Sequence, residues 1–207
     1  MMKLFYAPGT VALAAHITLE EVGADYEAVR LDFNNGEQLK PDYLAINPKA
    51  RVPALVTERG ILTETPAILE YILRLHPVSG LGPLEDAYAW AEAQAFNAYL
   101  CSTVHVAHAH KFRGKRWADS EATLQELKDK VPETMTVAYR MIEKEMFKGP
   151  WVLGDSYSIC DIYMFTIARW LEGDGVDMAA LPLTADHRAR VLERPATRRA
   201  METQGLL

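Results

Sequence analysis

The chain has 207 residues, 49% of them hydrophobic and 24% charged, with a formal net charge of −6 at pH 7. This is the profile of a folded globular protein with room for one large domain or two small ones, and the acidic balance argues against nucleic acid as a partner. No run approaches the roughly 18 apolar residues of a membrane span, no export signal is evident, and two isolated cysteines, Cys101 and Cys160, suit a reducing cytoplasm.

In chain order, residues 3–6 form a short apolar run ended by Ala7-Pro8-Gly9, which predicts a strand and a turn. From Val11 to Val22 the apolar residues recur mostly at spacings of three and four. A helix is expected there, with Thr10 placed to cap it and Gly23 to end it. Residues 26–31 alternate as a strand does. Strand, helix and strand within about thirty residues make a βαβ unit with parallel pairing. Asn34-Asn35-Gly36 is a loop, residues 40–46 form a short helix, and Asn47-Pro48 stops it.

Arg51-Val52-Pro53-Ala54-Leu55 then reads as a strand headed by proline, which strands accept only at edges or first positions. The Val52-Pro53 bond is a candidate cis peptide. A partner strand at residues 60–63 closes a hairpin around Arg59-Gly60. Thr65-Pro66 predicts an abrupt helix start, the hydroxyl as cap and the proline at the first helical position. Open backbone at Val52 would stand beside the N–H groups and positive dipole of a new helix. That is either an ordinary hairpin feeding a helix or a small site for an extended peptide carrying a carboxylate. The order βαβ–α–ββ–α over residues 1–76 matches a thioredoxin-like sheet, and neither glycine-rich nucleotide motif is present.

Residues 76–83 are rich in proline and glycine and mark the best domain boundary. Beyond it the pattern is helical. Residues 85–112 read as one long helix with Trp90, Ala93, Phe96 and Leu100 on a stripe. The basic cluster at 111–116, interrupted by Phe112 and Gly114, suits a solvated helix end. His105 and His108 share a helical face with no acidic or cysteine partner at ligand spacing, so no metal is expected. Residues 120–146 read as a second long helix, in which Pro132 predicts a kink or a split. After Gly149-Pro150, Ser158 and Asp161 form a capping box before a nearly uncharged helix at 159–171, expected at the centre of a second core. Pro182 and Pro195 divide the remainder into short helices. The expected domains are 1–76, a linker at 77–84, and an all-helical domain at 85–207.

Taken together, these motifs resemble the cytosolic glutathione S-transferases. The runs at residues 3–9, 44–49 and 202–207 are most similar to the bacterial beta class. The resemblance implies an α+β thioredoxin-like domain followed by an all-α helical bundle, and a homodimer. Glutathione would be a co-substrate, with no other cofactor, and its thiolate would be conjugated to small hydrophobic electrophiles. Val52 would pair its backbone with the cysteinyl part of glutathione, aided by a cis bond to Pro53, while Glu64 and Thr65 would hold the γ-glutamyl end. His105 would line the electrophile pocket, with Val11, Tyr99 and Phe112 as further candidates. The class also borrows an asparagine from the neighbouring subunit, but in register with His105 that position is Ala98, with Asn97 one residue off.

The class carries a cysteine two residues after the turn glycine, where this chain has Val11. Its first domain has no thiol, so thioredoxin-type redox chemistry is not expected. Activation of the glutathione thiol then falls to Thr10, the preferred candidate, or to Tyr6. The plainer alternatives are that Thr10 caps its helix, that Tyr6 is core and that His105 is a satisfied helix histidine. Other functions compatible with the same site are non-catalytic glutathione binding and a glutathione-dependent isomerase or dehalogenase.

Overall fold

In the computed structural model, which describes residues 1–207, the chain divides into a first unit of residues 1–84 and 192–207 and a second of residues 85–191. The first unit holds a four-stranded sheet in the order β2-β1-β3-β4, from β1 (Met2–Tyr6), β2 (Tyr26–Arg30), β3 (Ala54–Thr57) and β4 (Gly60–Thr63). β1 pairs parallel with β2 through the crossover helix α1 (Ala12–Glu21), as the strand–helix–strand pattern predicts. β3 runs antiparallel to β1, with Phe5 opposite Ala54, and antiparallel to β4, with Ala54 opposite Thr63. The exit of β1, the entry of β3 and the exit of β4 therefore lie at one end of the sheet. Two helices begin there, α1 and α3 (Thr65–Leu75), and α2 (Pro41–Ile46) precedes β3.

Every residue of α1 from Ala12 to Leu19 is buried, because the helix packs on β1, on α3 and on α9 (Pro195–Thr203). A helix buried on all sides along most of its length belongs at the centre of its unit. The contact with α9 departs from the expected single helical domain at 85–207, since residues 192–207 belong to the first unit. Ala196, Thr197, Ala200 and Met201 give α9 a mostly small-residue buried face. Arg194 pairs bidentately with Glu21 at 2.6 and 2.8 Å, and Arg199 reaches Glu20 at 2.7 Å. Periodicity shows that such a helix has a buried face, not which unit that face meets.

The second unit is helical: α4 (Ala87–Tyr99), α5 (His105–Arg113), α6 (Glu121–Met141), α7 (Ile159–Ala168) and most of α8 (Pro182–Leu192). The segment at 85–112 is helical throughout residues 87–113, with α4 and α5 continuous through a wide helical turn in which the His105 N–H donates to the Leu100 carbonyl five residues back. The segment at 120–146 is not split at Pro132: α6 runs through it to Met141, and a second wide turn occupies residues 142–146, with the Phe147 N–H donating to the Ile142 carbonyl at 2.8 Å. No glycine or proline announces either turn. Gly175, at φ +85, lies against the Pro132 ring, where an added Cβ would stand 3.2 Å from Cγ.

All ten residues of α7 are buried, and the expected capping box forms. Asp161 Oδ2 accepts from the Ser158 N–H and hydroxyl at 2.8 and 2.9 Å, while the Ser158 hydroxyl accepts from the Cys160 N–H at 3.2 Å. The helix ends at Ala168 rather than 171. No helix is long and apolar enough to cross a membrane.

Candidate active site

β1 leaves the sheet into the turn Ala7-Pro8-Gly9-Thr10. The Thr10 N–H donates to the Ala7 carbonyl at 3.3 Å, and the Thr10 hydroxyl donates to the same oxygen at 2.7 Å. Proline followed by glycine at φ +71 is the pattern of a type II turn, whose third residue needs a positive φ. Thr10 does not cap α1 as expected. The helix begins at Ala12 with Val11 as its cap residue, and the Thr10 hydroxyl only accepts the Ala12 N–H, at 3.4 Å. Its oxygen therefore stands at the positive end of α1, half-buried. Tyr6 is enclosed in a cluster with Ala7, Ala12, Tyr43 and Val52, and its hydroxyl is directed at the Thr203 carbonyl, 3.5 Å away. Val11 is buried too.

At the same end of the sheet, the chain approaching β3 is held from α2. The Arg51 carbonyl accepts from the Tyr43 hydroxyl at 2.6 Å and from Asn47 Nδ2 at 2.7 Å. Burial raises the Tyr43 pKa, the Asn47 hydrogen bond opposing it. The Val52-Pro53 bond is cis, and pairing of β3 with β1 starts only at Ala54, so Val52 lies outside the ladder. Because Ala54 faces Thr63 across β3 and β4, Val52-Pro53 enter β3 at the end of the sheet where β4 leaves into Glu64-Thr65.

Glu64 adopts φ +73, ψ 120, a region that costs a non-glycine residue about 1–3 kcal/mol. It is the cap residue of α3, its carbonyl accepting the Ile68 N–H at 3.0 Å; Thr65 is the first helical residue and Pro66 the second, so the expected threonine cap is corrected. Pro66 contributes no N–H, which leaves those of Thr65 and Ala67 as the donors of the first turn. The Lys49 ammonium donates to the Glu64 carboxylate and to the Thr63 hydroxyl. Together these groups form a ledge for an extended peptide: backbone at Val52, donors for a carboxylate at α3, and an acceptor for an ammonium at Glu64. Tyr43, Asn47 and Lys49 were not legible as site residues. Asn47-Pro48 signalled a helix stop, but its hydrogen bond to Arg51 closes only in three dimensions.

In the second unit, His105 opens α5 with its ring against Trp170, centroids 5.2 Å apart, and near His108 at 6.3 Å. His108 stacks on Trp170 at 4.2 Å, and its Nδ1 lies 2.6 Å from Oδ2 of the buried Asp174. Phe112 is exposed and meets the His108 ring edge-on. Tyr99 is occupied differently, its hydroxyl donating to the Ala138 carbonyl on α6 at 3.4 Å. Three of the expected pocket residues thus fall into two settings: His105 and Phe112 flank His108, and Tyr99 faces α6. Trp170 and Asp174 lie too far along the chain for spacing to have linked them to the histidines.

Comparison with known proteins is consistent across the chain. Residues 1–74 match the family described as glutathione S-transferase, N-terminal domain, and residues 96–195 match its C-terminal domain. Glutathione S-transferase GstA of Escherichia coli O157:H7 is 32% identical, covering 99% of this chain and 100% of the relative. A crystal structure of a glutathione transferase homologue from Sulfitobacter with bound glutathione is 44% identical, with TM-score 0.95 and coverage of 100% of this chain and 99% of the other. The bacterial beta class glutathione S-transferase of Sphingomonas chungbukensis is 31% identical, with TM-score 0.86 and coverage of 99% and 100%.

Proposed function

The chain belongs to the glutathione S-transferase family and is a glutathione transferase, and on that premise we propose that Thr10 stabilises the glutathione thiolate for attack on small hydrophobic electrophiles. The observation that carries this reading is the convergence at one end of the sheet of the Val52-Pro53 ledge, the Glu64-Thr65 helix start and the Thr10 turn. The cysteinyl backbone of glutathione pairs with Val52. Its γ-glutamyl carboxylate takes the first N–H groups of α3, and its ammonium takes Glu64. Each charged contact contributes on the order of 1.5–3 kcal/mol.

A thiol with a pKa near 8.5 is only a few per cent ionised at neutral pH, and lowering it by two units takes about 2.7 kcal/mol of preferential thiolate stabilisation. One charge-assisted hydrogen bond from Thr10, together with the N-terminal dipole of α1, supplies that. To donate, the hydroxyl exchanges its bond with the Ala7 carbonyl for one with sulfur. Tyr6, enclosed and directed at Thr203, is assigned to the framework instead. Val11 stands where the beta class has its cysteine, and both thiols of the chain, Cys101 and Cys160, lie in the second unit, so the chemistry is conjugation rather than thiol exchange. His105 and Phe112 are assigned to the electrophile pocket, Tyr99 to support of α4, and the working form to a homodimer.

Ultraviolet difference spectra on adding glutathione near pH 6.5, about two units below the free thiol pKa, test this. The wild type is expected to show thiolate absorbance and Thr10→Ala to lose most of it while still binding. Equal absorbance in both would remove Thr10 from the mechanism. Binding without ionisation in the wild type would favour a non-catalytic glutathione-binding protein.

A further inference from the structure

The tail of the first unit reaches the turn that carries Thr10. Gln204, buried at 4% exposure, accepts the Gly9 N–H on Oε1 at 3.2 Å, and its Nε2 lies 3.0 Å from His16 Nδ1 on α1. The backbone N–H of Gly9 can only donate, so it fixes the orientation of the amide. Oε1 faces Gly9 and Nε2 donates to His16. Nδ1 of His16 must then be the acceptor, which makes the imidazole neutral with its proton on Nε2. Burial, which pulls the His16 pKa down to about 4 against the opposing charge of Glu20, favours the same state.

Gln204 is itself held. It is the C-cap of α9, whose end is a Schellman motif: the Leu206 N–H donates to the Met201 carbonyl and the Gly205 N–H to the Glu202 carbonyl, both at 2.9 Å, with Gly205 at φ +68. Leu206 lies over the turn, its Cδ2 3.7 Å from where a Cβ on Gly9 would stand. One residue earlier, the Thr203 carbonyl faces the Tyr6 hydroxyl.

The soft coordinate of the turn is the orientation of the Pro8–Gly9 peptide. Type I and type II turns differ mainly in ψ of the second residue and φ of the third, which together amount to a flip of that peptide plane. A hydrogen bond from outside to the Gly9 N–H removes this freedom. We propose that Gln204 is a positioning residue for thiol activation, locking the Pro8–Gly9 peptide so that the Thr10 hydroxyl is presented at the head of α1. The proposal rests on the assignment of Thr10 as the thiolate donor. Gln204 touches no substrate; it acts through Gly9 and, by way of His16, ties the turn to the helix that follows it.

Gln204→Met, close in shape and without either hydrogen bond, is the test variant, compared with Thr10→Ala by the thiolate difference spectrum and the pH profile of kcat/KM. The expected result is a thiol pKa raised by about one unit, hence about a tenfold loss of kcat/KM below that pKa. Glutathione affinity should be held within about twofold, because Val52, Glu64 and Thr65 are untouched; the kcat-against-KM split separates positioning from binding. If Thr10→Ala raises the thiol pKa and Gln204→Met does not, the positioning role is overturned and Thr10 stands. If Thr10→Ala leaves the pKa unchanged, the thiolate reading falls and this inference falls with it. A Gln204→Met variant that loses glutathione affinity at unchanged thiol pKa also overturns it. The wild type gives a check that needs no variant: ¹⁵N NMR of His16 should show Nδ1 unprotonated and Nε2 protonated. A proton on Nδ1 would turn the amide over, remove the bond to Gly9 and overturn the proposal.

Discussion

Each unit buries one histidine completely, and the two are satisfied in opposite ways. His16 on α1 lies between the rings of Tyr6 and Tyr26, at 5.4 and 5.6 Å, and accepts from the neutral amide of Gln204. His187 on α8 lies against Phe147 and Trp151, at 5.7 and 6.1 Å, and its Nε2 donates to Asp161 Oδ1 at 3.0 Å. In both, the second ring nitrogen has no hydrogen-bond partner in the chain. Asp161 also collects the Val152 N–H at 2.8 Å and both donors of Ser158, so one carboxylate ties the cap of α7 to two other segments. Gln204 collects a turn N–H and passes its other end to α1. A carboxylate hydrogen-bonded to His16 would add to the charge of Glu20 and draw a proton onto the ring; the amide of Gln204 does not. A charged group anchors the fold in the second unit, while the link that reaches the turn carrying Thr10 is a neutral amide.

The harshest way to break this comparison is Asp161→Ala. It strands the Val152 N–H, the Ser158 N–H and hydroxyl and the His187 Nε2–H in a buried site. Each unsatisfied donor costs about 1–3 kcal/mol, so a loss of about 4 kcal/mol or more is expected in urea unfolding. A loss below about 1 kcal/mol would mean that the carboxylate anchors little.

A smaller effect is expected from acid. The folded pKa of His16, about 4, lies below its ordinary 6.5, so between these values the unfolded chain binds the extra proton. Stability is therefore full above about pH 6.5 and declines as pH falls to about 4, by up to roughly 3 kcal/mol. Burial pushes Glu20 upward, but hydrogen bonds from Tyr26 and Arg199 outweigh it and hold the carboxyl below its ordinary 4.5, so its contribution is lost only at lower pH. His16→Asn should remove the slope above pH 4. Gln204→Glu, which copies the carboxylate of the second unit, should raise the His16 pKa and flatten the slope. An NMR titration of His16 that does not move in that variant would show that the neutral amide is not what sets its state.

The mildest change is Arg194→Ala, which removes the bidentate pair with Glu21 and should cost about 1 kcal/mol. If the tail is the brace inferred above, the same variant raises the thiol pKa slightly; an unchanged pKa would place the grip of the tail at Gln204 and Leu206 alone.

Local chemistry was enough to establish the parts of this molecule. Alternation and three-to-four spacing placed the strands and α1. Proline and glycine punctuated the chain at the Ala7-Pro8-Gly9 turn and the hairpin, and Ser158 with Asp161 announced α7, because each of these signals is carried by neighbours in sequence. The motifs at Val52-Pro53 and Glu64-Thr65-Pro66 marked a ledge, although both helix caps drawn from them and from Thr10 were misassigned: the positive φ of Glu64 and the position of Val11 depend on how the sheet ends meet α3 and α1. The wide turns at 100–104 and 142–146 carried no breaker residue to reveal them. Tertiary structure alone decided that residues 192–207 return to the first unit, that Gln204 meets Gly9, that Asn47 and Tyr43 share the Arg51 carbonyl, and that His108 meets Asp174. These contacts join residues far apart in the chain, and a side chain's partner across such a distance is fixed by packing, not by any period in the sequence.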